Sequence, residues 1–442
     1  MRRFVKLVVF IFVFFSATTQ TVRAFDNIED WFPPALFTYP LAIGEPLGVI
    51  CRNCDSQGIP DVIIFTAVGG PKTFFDLPTE DSMVHFYLLL GKPEGWGEPL
   101  LVGQFPIPKR QVFSLTAIPG SDLDSDGFLD MAMILTVTPG SLAHLDLRET
   151  ESYLVILWGC QDGVSFEMDF MQVELGLLPF ISLAAGDFNA DGLVDLAFTD
   201  PQRLALQVLY NQGGRRWSDP SLVSLSGEED YHLVPVMCVR GRFDGESGDD
   251  LAVLSIGVRK KEFNQVLVFL SLRDGQRWER SPLFPLGSKP FSRFIDAVGS
   301  LIAGDYDGDH HDDLLFTMKM MEEPAFPPHL DIMAFYVLLG PTWDNPGSPR
   351  FIGAMPLGFP IFTKYDPTFG WRMVSMRMDG SALDVLHIYK DGGQAAAALS
   401  VPGHLAGAWL VVRNEKREII AVSSVDLQSG ITLFNVITRR SQ

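Results

Sequence analysis

A nine-residue acidic segment recurs along this chain, and its spacing limits the fold more than any other feature. Three copies align without gaps: DLDSDGFLD at 122–130, DFNADGLVD at 187–195 and DYDGDHHDD at 305–313. Each runs straight into an apolar stretch of the length and composition of a buried strand. Eroded copies keep the same frame: Asn53 to Asp61, Arg242 to Asp250, Met376 to Asp384, and a weak seventh copy ending at Glu418. The first six copies begin 69, 65, 55, 63 and 71 residues apart. A period of that size is one four-stranded sheet with its turns.

A second marker keeps phase with the first. A glycine-bearing turn leads into an aromatic at Gly91 and Trp96, Gly163 and Phe166, Gly213 and Trp217, Gly275 and Trp278, and Gly340 and Trp343. These turns fit the hairpin between the third and fourth strands (c and d) of each sheet, with the aromatic as a plug against the neighbouring sheet. In the clearest repeat, strand a spans Pro179 to Gly186, strand b Leu196 to Thr199, strand c Leu204 to Tyr210 and strand d Leu222 to Leu225. The expected fold is therefore all-β: a seven-bladed β-propeller with four-stranded blades and acidic loops between strands a and b. Six blades is the alternative if the Glu418 copy is chance. The last repeat is short, so Ala35 to Leu41 is expected to supply its outer strand.

The loops carry carboxylates at positions 1, 3, 5 and 9 and glycine at 6. Hard oxygen donors in that number suit Ca²⁺, with the backbone carbonyl of position 7 as a further ligand. An EF-hand does not fit: its twelfth position needs Glu, where this chain has Met133, Phe198 and Phe316, and flanking helices are missing from the pattern. Repulsion among carboxylates would leave such a loop loose without its metal.

In these residues the chain resembles the FG-GAP/VCBS repeat family of integrin-α-like β-propellers. The resemblance rests on the acidic loops and on strand endings such as YVLLG at 336–340 and LVILWG at 154–159, and it covers about residues 50 to 435. It implies structural calcium at about three sites. The ligands it implies are Asp122, Asp124, Asp126, the Phe128 carbonyl and Asp130; then Asp187, Asn189, Asp191, the Leu193 carbonyl and Asp195; then Asp305, Asp307, Asp309, the His311 carbonyl and Asp313. His310 stands where the other two loops have glycine, a costlier residue for a left-handed backbone. Arg242 places a cation where the fourth loop's first ligand would be, as a counter-charge to Asp244 and Asp250.

Residues 1–24 read as a secretory signal peptide: Arg2, Arg3 and Lys6, then an apolar run from Leu7 to Phe15 too short to span a bilayer. Residues 25–442 are then one propeller, secreted to an extracellular or periplasmic space. No membrane span is expected in the mature chain. Removing the leader takes the net charge from −20 to −24. That balance argues against nucleic acid, whose phosphates would be repelled. The ligand positions of the three intact loops hold 11 of the 54 carboxylates, so much of the acid reads as metal ligand.

Secretion permits disulfides among Cys51, Cys54, Cys160 and Cys238, with all pairings open. The eight histidines form no metalloprotease pair, and neither a nucleophile elbow nor a phosphate-binding loop occurs. Lys260-Lys261 and Arg215-Arg216 read as solvated turns. The reading leans against an enzyme and toward a binding or adhesion module for an extracellular protein or glycan. The resemblance also leaves a propeller-fold carbohydrate-active enzyme, polysaccharide lyase-like, as the alternative.

Overall fold

The computed structural model describes residues 35–41, 45–52, 61–69, 81–92, 95–118, 121–140, 149–160, 165–173, 181–225, 232–244, 248–259, 262–273, 277–285, 298–306, 309–320, 332–339, 350–356, 358–366, 370–377, 383–388, 394–399, 404–414, 417–425 and 432–440. The leader at 1–24, Cys54, Asp307 and Trp343 lie outside them. No helix among the described residues is long and apolar enough to cross a membrane.

The described residues form seven antiparallel sheets of four or more strands and one short two-stranded ribbon. In chain order the first sheet is Glu45–Arg52, Asp61–Val68, Ser82–Leu89 and Leu100–Ile107. The second is Gln111–Ala117, Met131–Thr138, Glu151–Gly159 and Phe166–Val173. The third is Leu183–Gly186, Asp195–Asp200, Ala205–Leu209 and Ser221–Ser224, close to the limits the sequence suggests. The fourth is His232–Gly241, Asp250–Arg259, Glu262–Arg273 and Arg277–Arg280, with Phe284–Pro285 also paired to its third strand. The fifth is Val298–Gly304, Asp313–Met320, Ile332–Leu338 and Arg350–Pro356. The sixth is Gly358–Asp366, Gly370–Arg377, Leu383–Ile388 and Gln394–Leu399.

The seventh sheet is built from both ends of the chain. His404–Asn414, Arg417–Val425 and Thr432–Arg440 are completed by Ala35–Leu41, which pairs antiparallel with the last strand in register from Ala35 opposite Thr438 to Leu41 opposite Thr432. This is the outer strand expected from the shortness of the last repeat.

Strand a of each sheet lies beside strand a of the next. Leu183–Gly186 neighbours His232–Gly241, which neighbours Val298–Gly304, then Gly358–Asp366, then His404–Asn414. His404–Asn414 in turn lies against Glu45–Arg52, and that strand lies beside Gln111–Ala117. Thr116 Oγ1 donates to the Ile181 carbonyl at 2.8 Å and joins the second sheet to the third. Radial sheets with their first strands innermost are the arrangement of a β-propeller.

Such sheets bury both faces, which is why the second strands read as continuous apolar runs rather than alternating ones. All eight residues of Met131–Thr138 are buried. Strand d is the outermost and the wettest: in Phe166–Val173 only Val173 is buried. Among the described residues the core is thus divided into wedges, one between each successive pair from the first sheet to the fifth. Phe65, Phe86, Met133 and Leu157 fill the first, and Ile134, Trp158, Phe198 and Leu209 the second. Phe188, Val208, Val253 and Val268 fill the third, and Phe243, Phe269 and Phe316 the fourth. Each such side chain contributes about 1.5–3 kcal/mol by leaving water. The turn aromatics close the outer ends of three wedges. Phe166 packs on the first and Trp217 on the second. Trp278 packs on the third, with its ring 6.1 Å from that of Phe188 and its Nε1 donating to the Tyr210 hydroxyl at 2.9 Å.

One sequence expectation is corrected here, and one open question is answered. The copy from Met376 to Asp384 joins the second and third strands of the sixth sheet, not the first and second, so it lies at the opposite end of its sheet from the other acidic loops. Its match is a coincidence of a buried Asp before an apolar strand. Cys238 is a free thiol, buried in the wedge between the third and fourth sheets with Sγ 3.7 Å from the Ser182 carbonyl, and forms no disulfide. Burial pushes its pKa up to about 12, so it is an inert core residue.

Candidate metal centre

The acidic loops share one hydrogen-bond plan, built from the aspartates themselves. The carboxylate at position 1 accepts the amides of positions 5 and 6. In the first loop Asp122 takes Asp126 N at 3.1 Å and Gly127 N at 3.0 Å. In the second, Asp187 takes Asp191 N at 3.0 Å and Gly192 N at 2.9 Å. In the third, Asp305 takes Asp309 N and His310 N, both at 3.1 Å. Position 5 accepts the amide of position 7: Asp126 from Phe128, Asp191 from Leu193, and Asp309 from His311, at 2.8–2.9 Å.

Turning nine residues this tightly requires left-handed backbone at position 6. Glycine supplies it at Gly127 and Gly192, with φ of 91° and 87°, while His310 adopts 73° despite its side chain. Position 4 is left-handed as well at Ser125 and Ala190, which sequence reading did not register.

Position 9 has a role of its own. Asp130 is fully buried, and its Oδ2 accepts Leu123 N at 2.6 Å and Asp124 N at 3.3 Å. Its Oδ1 accepts Gly159 N at 2.8 Å, at the end of strand c. Asp195 repeats this with Phe188 N at 3.1 Å and Asn211 N at 2.8 Å. Asp313 accepts Tyr306 N at 2.8 Å, and Asp61 accepts Gly91 N at 2.6 Å. In the first three sheets the ninth aspartate therefore ties the start of the second strand to the end of the third. Burial raises the Asp130 carboxyl to about 6 and the Asp195 carboxyl to about 7, against the pull of the amides that bond them.

Asp122, Asp124 and Asp130 each bring a carboxylate oxygen into one group whose atoms lie within 4.8 Å of one another. Oxygens on a shell of radius about 2.4 Å are separated by at most that distance, so the spacing admits Ca²⁺ and the hard-oxygen donors suit it chemically. Asp126 stands outside this group, exposed at the loop tip with Oδ1 committed to Phe128 N. The half-buried Phe128 follows it in the chain. In the second loop Asn189 replaces the third-position carboxylate, and its Nδ2 donates to Asp191 Oδ2 at 2.9 Å. Asp187, Asp191 and Asp195 surround the same turn, with Leu193 at position 7. The third loop places Asp305, Asp309, His311 and Asp313 in the corresponding frame, and the His310 ring nitrogen lies 3.8 Å from Asp305.

The fourth loop, 242–250, keeps the ninth-position anchor and has Arg242 at position 1. Asp250 Oδ2 accepts Phe243 N at 2.7 Å and Asp244 N at 3.0 Å. Asp244 accepts the Ser271 hydroxyl at 2.8 Å. Arg242 is exposed, and its ion pair is with Asp249, at 4.0 Å, rather than with Asp244 or Asp250. Asp249, at position 8, also pairs with Arg240 at 3.0 Å.

Neighbouring loops are clasped by a device the sequence did not reveal. Asp249 Oδ2 accepts Asp187 N at 2.9 Å while Asp249 N donates to the Asp187 carbonyl at 2.8 Å. Asp312 repeats both bonds on Arg242, at 2.8 Å and 3.1 Å. The approach is so close that a Cβ on Gly186 would stand 2.7 Å from the Asp249 carboxylate. The first loop is joined to the third sheet differently, by Asn211 Nδ2 donating to the Leu123 carbonyl at 2.5 Å and by Arg215 Nε to Asp124 Oδ2 at 2.8 Å. Arg215 is thus an ion-pairing residue, not the solvated turn cation its position suggests.

No protein-family profile matches the chain, and no characterised protein matches it in sequence. Among solved structures it is similar to the WD40 domain of coronin from Toxoplasma gondii, at 11% identity over 93% of this chain and 88% of that one, with a TM-score of 0.45. It is also similar to the Dos1 propeller, at 9% identity over 90% and 94% of the two chains, with a TM-score of 0.45.

Proposed function

We propose that this chain is a secreted, seven-bladed β-propeller of FG-GAP/VCBS type, stiffened by calcium in its a–b loops and serving as a binding or adhesion module for an extracellular protein or glycan. The observation that carries the calcium reading is the gathering of Asp122, Asp124 and Asp130 in a loop whose amides are already satisfied by the same carboxylates. The repeat of that plan at 187–195 and 305–313 supports further sites. Calcium here is structural: it offsets the cost of burying Asp130 and leaves no reacting group beside it. The binding role rests on the architecture, a rigid frame presenting loops at both ends of its sheets. One such place is a polar cleft of about 270 Å³ between the second and third sheets, at the end opposite the acidic loops, lined by Glu151, Ser152, Gln172, Gln202 and Arg203.

Calorimetric titration with Ca²⁺, and thermal unfolding with Ca²⁺ or EGTA, test the metal reading; an unchanged unfolding midpoint overturns it. Screening the protein on glycan and cell-surface-protein arrays tests the binding role. Chain cleavage of an acidic polysaccharide would favour the enzyme alternative instead.

A further inference from the structure

We propose that Arg215 is a tethered counter-cation that shares Asp124 with the bound metal and thereby lowers the calcium affinity of the first loop. This inference rests on the calcium reading above.

The turn between the third and fourth strands of the third sheet is shaped to deliver this side chain. Gly213, Gly214 and Arg215 are consecutively left-handed, with φ of 74°, 61° and 62°. The first two are free to be so; the third, carrying a long side chain, is held there by what it reaches. Its Nε donates to Asp124 Oδ2, and its Nη1 is bonded to Glu167 on the outer strand of the second sheet. The guanidinium also lies over the Trp158 ring, 5.0 Å from its centroid. Trp158 is fixed in turn by its Nε1 bond to Asp169 at 2.7 Å. Arg216, next in the chain, is exposed, with a 3.4 Å contact to the Gly213 carbonyl of its own turn. The contrast marks Arg215 as placed rather than scattered.

Asp124 consequently serves two cations. Its Oδ1 faces the loop and accepts Asp126 N, while Oδ2 is held by the arginine. A divalent ion among Asp122, Asp124 and Asp130 would sit one carboxylate away from a fixed positive charge that is only 32% exposed. Partial burial weakens screening, so the two cations repel appreciably. Coupling of this kind is reciprocal: metal in the loop loosens the hold of the third sheet's turn, and the docked turn loosens the metal.

Calcium titration of the full chain by calorimetry, with Arg215→Met and Arg215→Lys beside the unmodified protein, tests this. Arg215→Met keeps an apolar stem on Trp158 and removes the charge. It is expected to tighten one class of site about tenfold, with the gain shrinking as NaCl is raised from about 0.05 M to about 0.5 M. Arg215→Lys, which keeps the charge, is expected to stay near the unmodified affinity. Asp122→Asn should abolish the class that Arg215→Met tightened, which assigns it to the first loop. Equal or weaker binding by Arg215→Met overturns the proposal while leaving calcium binding intact. Absence of binding in the unmodified protein and in Arg215→Met together removes the calcium reading and this proposal with it. Binding by Arg215→Met alone supports the proposal in its strongest form.

Discussion

The first and fourth acidic loops began from one plan and are stabilised differently. Loop 122–130 gathers three carboxylates, and its burial is balanced by amides and by an arginine from the next sheet. Loop 242–250 has Arg242 at position 1 and, among the described residues, no such gathered group, yet it keeps the buried Asp250 bonded to the amides of positions 2 and 3. Its charges are met by peripheral pairs, Arg240 and Arg242 on Asp249 and Ser271 on Asp244. Under the proposed calcium reading, the difference separates two jobs that the motif superimposes: gathering carboxylates for a cation, and folding the loop through position 9.

The largest effect that could break this division is loss of the anchor. Asp130→Ala strands the amides of Leu123, Asp124 and Gly159 and should cost about 3–5 kcal/mol by denaturant unfolding, in calcium and in EGTA alike. Asp250→Ala should cost a comparable but smaller amount. A neutral Asp130→Ala in EGTA would mean that position 9 serves only the metal. Calcium itself comes next. At a hundredfold excess over its Kd one bound ion stabilises by about 2.7 kcal/mol. Asp122→Asn should remove the first loop's share of the calcium-dependent rise in Tm, and Asp244→Asn should leave that rise intact.

The clasp between loops ranks third. Asp249→Ala should cost about 1–2 kcal/mol, and Gly186→Ala should approach it by displacing the same carboxylate. If the two substitutions are additive in a double mutant, they do not act through one contact.

The effect spread over the widest range of conditions is a pH slope. Burial, then repulsion from Asp244, raises the Asp250 carboxyl to about 7. The folded protein therefore binds a proton there at pH values where the unfolded chain does not, so stability in EGTA should rise as pH falls from about 8 to about 5. Asp250→Asn should flatten that part of the slope while keeping an acceptor for Phe243 and Asp244. A slope that steepens or is unchanged would place the proton elsewhere.

What the sequence made legible was whatever lies within one repeat. The acidic loops, the apolar second strands and the plugs Trp217 and Trp278 all follow from spacing along a single sheet. The pairing of Ala35–Leu41 with the chain's last strand was inferable because the last repeat lacked a strand. Contacts between repeats were not legible. Asp249 meets Asp187, Asp312 meets Arg242, and Arg215 meets Asp124 across 62, 70 and 91 residues, and no local pattern announces them. A partial signal existed for the anchor: Asp61, Asp130, Asp195, Asp250 and Asp313 persist where the other acidic positions erode. Persistence without the metal set pointed to a structural duty, and the Met376 to Asp384 copy shows the same cue misleading when a buried Asp opens the wrong strand.

The seventh sheet has a consequence for how the chain is made. Its two terminal strands are separated by roughly 400 residues, so this pairing closes a very long loop and forms only after Thr432–Arg440 has been synthesised. Until then Ala35–Leu41 is a nascent segment awaiting its partner, and Thr432–Arg440 offers an open edge to any other strand. Premature chain termination near residue 430 would release a polypeptide that retains six complete sheets and lacks the means to finish the seventh. Its failure would appear as strand exchange between copies rather than as loss of secondary structure.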